Sequence, residues 1–144
     1  MTTQIDFYLL ENPEQSADGF CCKLVEKAYR AGHDIFIQID GDERMNSLDD
    51  LLWTFRPDSF LPHATANHEE LTRANSPIRL GCAGGNQGKM DLLINLSTEP
   101  SADFSRYQRV SEIISSEESD KVIGRNKFKA YQTQGIRPTH HKIA

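Results

Sequence analysis

The chain has 144 residues, 38% hydrophobic and 26% charged, the make-up of one ordinary globular domain. Its 16 Lys/Arg stand against 21 Asp/Glu, and a net charge of −5 disfavours direct binding to nucleic acid, which needs a basic surface. No apolar run nears the ~18–20 residues of a membrane span, and Cys21, Cys22 and Cys82 fit neither a disulfide framework nor a zinc site. The N-terminus lacks the basic-then-apolar pattern of a signal peptide. With the cysteine usage, this leads us to expect a reducing cytoplasm and no membrane.

Gln4–Leu10 reads as a first strand, stopped by Asn12-Pro13. Ser16–Ala31 reads as a helix with an apolar stripe of Phe20, Leu24, Ala28 and Ala31, and Gly32 sits where a C-terminal cap belongs. His33–Ile39 is a second strand, and Asp40-Gly41-Asp42 turns the chain. The spacing of Met45, Leu48 and Leu52 predicts a helix over Asp42–Thr54, with Trp53 a further candidate for its inner face. Residues 56–76 are irregular and punctuated by prolines. Ile78–Cys82 and Asp91–Leu96 read as strands around a Gly-rich loop, Phe104–Tyr107 as a short helix and Arg109–Ser115 as a last strand. Ser115 with Glu118 makes a capping box for a final helix, closed by Gly135 and followed by Pro138. The tail from Thr139 is expected to be mobile.

Alternation of strands and helices at the start argues for parallel pairing with crossovers. The loop between the strands at 78 and 91 is too short for a helical crossover, which argues for some antiparallel pairing. The expectation is a single-domain α/β protein over residues 1–144, with a mixed, mostly parallel sheet flanked by helices. It is Rossmann-like without a nucleotide site.

The Ala83–Met90 stretch approaches a phosphate-binding loop but fails it. Ala83 replaces the first glycine, Met90 replaces the magnesium-binding hydroxyl, and Asp91–Leu96 reads as a strand where a helix should follow. Glu11–Ser16 carries no Gly-x-Gly-x-x-Gly that would let backbone amides approach a pyrophosphate. His33, His63, His68, His140 and His141 show no metal-binding spacing. No Gly-x-Ser-x-Gly elbow is present, and Cys21 and Cys22 lie on a helix with Asp18 in its first turn. Asp40, Asp42 and Glu43 could meet magnesium, but they also suit a solvated helix start. We therefore expect no catalytic residues, no cofactor and no metal.

The last 24 residues differ from the rest. Lys121–Ala144 holds six Lys/Arg and no Asp or Glu, which leaves ten basic against 21 acidic residues before it. A positive patch on an acidic protein focuses attraction for an anionic partner. At helical spacing Lys121, Arg125 and Lys129 share one face, bordered by Phe128. Cations beside an aromatic suit a ligand that is both negative and greasy, and the same residues also fit an ordinary solvated helix. Trp53, Phe55 and Phe60 crowd a Pro-containing stretch that could be core or could present rigid anchors to a peptide.

Together these blocks resemble the chi subunit family of bacterial DNA polymerase III. The resemblance runs nearly end to end. It lies in Phe7-Tyr8-Leu9-Leu10, in Leu52-Trp53 through Ser59-Phe60-Leu61-Pro62-His63, in Asp91 to Leu96, and in Arg125 through Phe128-Lys129-Ala130-Tyr131 with Gly135. Gln132 and Asn126 depart from a run that is usually more charged. The resemblance implies a non-catalytic accessory protein of the clamp-loader complex. It would pair with the psi subunit, reach the complex through psi, and bind the acidic, Phe-terminated C-terminal tail of single-stranded DNA-binding protein, meeting DNA only indirectly. Carried over by position, Lys121 and Arg125 meet the tail's carboxylates with Lys129 beside them, while Trp53, Phe60 and Phe128 wall an apolar pocket. The residue pattern without the resemblance also admits a small cytoplasmic enzyme or nucleotide binder of Rossmann-like fold.

Overall fold

The computed structural model describes residues 3–54, 63–64, 77–82 and 90–143. Among them the strands are β1 (Gln4–Leu10), β2 (Ile35–Gln38), β3 (His63–Ala64), β4 (Ile78–Gly81), β5 (Met90–Asn95), β6 (Tyr107–Ile114) and β7 (Thr139–Ile143). They form one sheet in the order β3-β4-β2-β5-β6-β1-β7. Helices α1 (Ala17–Arg30) and α2 (Asp42–Thr54) cover one face. Helix α3 (Glu118–Thr133) and a 3-10 turn at Phe104–Arg106 cover the other.

Alternation along each strand builds two cores. Ile35, Ile37, Leu92, Ile94 and Ile113 join Cys21, Cys22, Val25, Met45, Leu48 and Leu52 beneath α1 and α2. Ile5, Phe7, Phe36, Leu93, Val110 and Ile114 join Tyr131 beneath α3. Strands buried on both faces read as near-continuous apolar runs, which is why β2 and β5 stood out in the sequence.

The single α/β domain matches the expectation, but the expected antiparallel portion is not found among the described residues, where every strand pairing is parallel. The error lay in treating β4 and β5 as neighbours. Both pair with β2, which lies between them. Eight extended residues reach about 26 Å, and a four-residue strand is only about 13 Å long, so a parallel return needs no helix.

Helix α1 is capped by Ser16, whose Oγ accepts from the Gly19 amide at 2.9 Å. Its buried face is Cys21, Cys22, Val25 and Ala28, one position round from the expected stripe; Phe20 and Leu24 are only half-buried and Ala31 is exposed. In α2, Met45, Leu48 and Leu52 point inward as expected, while Trp53 is 48% exposed. Helices α1 and α3 end alike, at Gly32 (φ 88°) and Gly135 (φ 85°), where a side chain would be strained. After α3, Gly135 N–H donates to Gln132 O and Ile136 N–H to Tyr131 O, which satisfies the last carbonyls.

The expected capping box at Ser115 is absent. Glu117 is the N-cap without a side-chain hydrogen bond, and Ser115 Oγ instead pairs with the Asp120 carboxylate. Residues 139–143 are no mobile tail: they form β7, paired with β1 from Asp6↔Thr139 to Leu10↔Ile143. The segment is short, polar and isolated in sequence, so no hydrophobic period announced it. Its stability comes from the edge that β1 offers.

Candidate functional site

Lys121, Arg125 and Lys129 are exposed along one side of α3, and Phe128 lies half-buried beside them. That side does not face bulk solvent alone. With the facing surface of β1, β6 and β7 it bounds a cavity of about 610 Å³. Phe7, Leu9, Ile114 and Phe128 supply apolar walls, while Lys121, Arg125, Lys129 and Lys142 bring four cations. Glu11 is the acidic residue among its described lining. The geometry is a greasy floor ringed by positive charge.

The aromatic floor is ordered by ring contacts. Phe128 meets Phe7 edge-on at 5.3 Å and stacks on His140 at 4.6 Å with an interplanar angle of 8°. Phe7 also meets Tyr131 edge-on at 6.1 Å. Arg125 pairs with Glu118 at 3.7 Å, but with 63% and 75% of the two side chains exposed this pair contributes little and leaves the guanidinium available.

Gly124 sets the depth of the cavity by letting α3 approach β6. A Cβ there would stand 2.9 Å from Ile114 Cδ1 and 3.0 Å from Cγ1. Gly124→Ala is expected to change stability little, because overpacking offsets the roughly 1 kcal/mol that alanine gains in helix propensity. Gly124→Val should cost about 1–3 kcal/mol, read as a lower urea midpoint, as the branched side chain drives α3 off Ile114.

Lys127 is a correction to the basic patch. It is 2% exposed and turned into the protein, where Nζ sits 2.8 Å from Glu112 Oε1. Glu112 Oε2 accepts from Tyr131 Oη at 2.6 Å and from Asn95 Nδ2 at 2.8 Å. Asn95 also holds Ser97, which accepts from Gln38 Nε2 at 2.9 Å. This network ties α3 to β6, β5 and β2. Burial pushes the Glu112 carboxyl up, against the charge and hydrogen bonds of Lys127, Tyr131 and Asn95. Burial and the neighbouring Glu112 charge push the Tyr131 hydroxyl far up.

The structure does not bring every expected site residue together. Trp53 lies on α2, across the sheet from α3, so it does not wall this cavity. Phe60 lies outside the described residues. Phe7, Leu9, His140 and Lys142 were missed. The first two look like ordinary strand residues, and the last two belong to a strand that was not expected.

No group of three or more His, Cys, Asp or Glu among the described residues could hold a metal ion. Burial pushes the Cys22 thiol up to about 12 and that of Cys21 well above its usual value, which makes both poor nucleophiles. A second cavity of about 440 Å³ on the α1 face holds Lys27, His33, Asp91 and Arg109. Three of these four groups already have partners: Arg109 lies 2.9 Å from Asp6, and His33 lies 3.8 Å from Asp91.

The family model described as "DNA polymerase III chi subunit, HolC" matches residues 1–139. A protein of Pseudomonas aeruginosa named DNA polymerase III subunit chi is 32% identical over 142 residues, covering 98% of this chain and 97% of that protein. Proteins of the same name from Escherichia coli (29% identical, 90% of this chain and 91% of that protein) and Haemophilus influenzae (28%, 94% of each) are similar over nearly their whole lengths.

Proposed function

Because the chain belongs to the DNA polymerase III chi subunit family, we propose that it is a non-catalytic accessory subunit of the clamp-loader complex, and that the α3 cavity binds the acidic C-terminal tail of single-stranded DNA-binding protein. The observation that carries the second half is the cavity itself: four cations around an aromatic floor of Phe7 and Phe128. A peptide ending in Asp-Asp-Ile-Pro-Phe offers the complement. Its terminal phenylalanine fits the aromatic floor, its terminal carboxylate suits Arg125, and its aspartates suit Lys121 and Lys129. Contact with DNA is then indirect, as expected for a protein of net charge −5. The test is fluorescence anisotropy of a labelled tail peptide. Saturable binding that weakens with salt supports the site, and no binding at high micromolar protein sinks it.

The second proposed partner is the psi subunit, which would tether the protein to the clamp loader. Co-expression is expected to give a one-to-one complex by sizing with light scattering. Separate elution at micromolar concentration would remove this partner.

A nucleotide role finds no support. Met90 starts β5, so a strand stands where a phosphate-binding loop needs a helix N-terminus. Calorimetric titration with ATP is expected to show no saturable binding tighter than millimolar. Micromolar binding abolished by Lys89→Ala would reverse that reading.

A further inference from the structure

β7 is an unusual element to find beside a binding cavity. It is an edge strand, with β1 its single neighbour in the sheet order. None of its five residues is buried: Thr139, His140 and Lys142 are exposed, His141 and Ile143 partly covered. An edge strand with so little apolar area is held by its backbone ladder and by whatever specific contacts it makes, and it belongs to the low-stability end of a fold.

Alternation divides those contacts between the two faces of the sheet. On the α3 face, His140 lies flat on Phe128, tilts over Phe7 at 6.1 Å, and joins Lys142 in lining the cavity. On the α1 face, His141 Nε2 lies 3.0 Å from Asp6 Oδ1, and its ring stacks on Tyr8 at 5.0 Å. Asp6 is fully buried and also accepts from Arg109 Nε at 2.9 Å and from Gln4 Nε2 at 3.2 Å. A hydrogen bond to a buried carboxylate is among the stronger a side chain can make. It ties β7 to the α1 face of the sheet.

We propose that β7 is a two-sided clasp, in which His141 fastens the strand to Asp6 on one face so that His140 and Lys142 complete the binding cavity on the other. His140 is a binding residue: its ring extends the Phe128 floor on which an apolar terminal side chain rests. His141 is a positioning residue that never meets the ligand and acts through His140. The coupling is reciprocal by linkage, so an occupant resting on His140 also holds β7 in place. The peptide part of this proposal rests on the function proposed above; the coupling of His141 to His140 across the sheet does not.

The test has two arms on the full-length chain. Without peptide, hydrogen exchange of the β7 amides and the NMR shifts of the His140 ring protons report whether the strand is docked and the ring stacked. His141→Ala is expected to speed β7 exchange and erase the upfield ring-current shift of His140, and His141→Asn, which keeps a donor for Asp6, to restore both. With the tail peptide, His140→Ala and His141→Ala should each weaken binding by about three- to tenfold, the size of one aromatic stack. His140→Phe should bind nearly like wild type. The double alanine variant should bind no worse than His140→Ala alone, since both changes remove the same wall. Peptide at saturation should slow β7 exchange. If His141→Ala leaves the His140 shift and β7 exchange unchanged, the clasp is wrong whatever the peptide does. Additive losses in the double variant also overturn it. If wild type binds no peptide while the first arm behaves as stated, the tail-binding function fails and the coupling within β7 stands.

Discussion

Lys127→Met is expected to lower the unfolding free energy by about 3–5 kcal/mol, the cost of leaving a buried charge without its partner. The lysine lies within the protein, and its Nζ is 2.8 Å from a carboxylate whose residue is fully buried. Without the ammonium, Glu112 keeps Tyr131 and Asn95 as donors but loses its counter-charge. The effect should depend on pH in a definite direction. Burial already holds the Glu112 carboxyl above its ordinary value of 4.5, with Lys127 the largest influence opposing that rise. Removing Lys127 raises it further. A carboxyl whose pKa is higher folded than unfolded stabilises the fold below the unfolded value, and that contribution is lost as pH rises through the folded value. The deficit of Lys127→Met should therefore be largest at neutral pH and shrink as the pH falls toward 4.5. Pairing it with Glu112→Gln should recover much of the loss at neutral pH, because the double variant buries no charge. Urea denaturation of wild type, Lys127→Met, Glu112→Gln and the double variant at two pH values checks both statements. A single variant as stable as wild type would show that the pair does not hold α3.

Arg125→Ala should act on binding and leave folding alone. The side chain is 63% exposed and its partner Glu118 is 75% exposed, so the melting temperature should barely move. Tail-peptide affinity should fall by about 2–4 kcal/mol, roughly thirty- to a thousand-fold, as a partly desolvated carboxylate loses its guanidinium. Arg125→Lys should recover only part, since an ammonium cannot give two parallel hydrogen bonds to a planar carboxylate. Lys121→Ala should cost less, about 1 kcal/mol, and flatten the salt dependence, as fits a screened point charge. Anisotropy titrations at two salt concentrations, with circular dichroism as a folding control, read all three. Wild-type binding by Arg125→Ala would place the peptide on another face.

The face of α3 was legible because Lys121, Arg125 and Lys129 fall at multiples of four, and helical geometry converts that spacing directly into a shared side. The same rule places Lys127, two residues after Arg125, on a different side. Burial of that lysine was not legible, because its partner Glu112 lies on a strand 15 residues earlier. Strands β1, β2 and β5 showed as apolar runs. Which strands they pair with did not show, since pairing in a parallel sheet is decided by connections whose length says little about order. Trp53 was grouped with α3 on its chemistry and on the family resemblance; the sheet that separates them is a tertiary fact.

The place of β1 in the sheet has a consequence for synthesis. Its ladder partners are β6, with Gln4 opposite Arg109, and β7, with Asp6 opposite Thr139. Of the described strands, the first in chain order is thus flanked by the last two. At about 5–20 residues per second, roughly 5–20 s pass between the emergence of β1 and that of β6. Through that interval Ile5 and Phe7, both 1% exposed in the finished protein, have no core to enter. An apolar segment waiting that long is open to chaperones and to aggregation with other nascent chains. Circular permutation that links residue 144 to residue 1 and opens the chain between β1 and α1 would place β1 after β7, shortening the wait while keeping the strand pairings of the sheet.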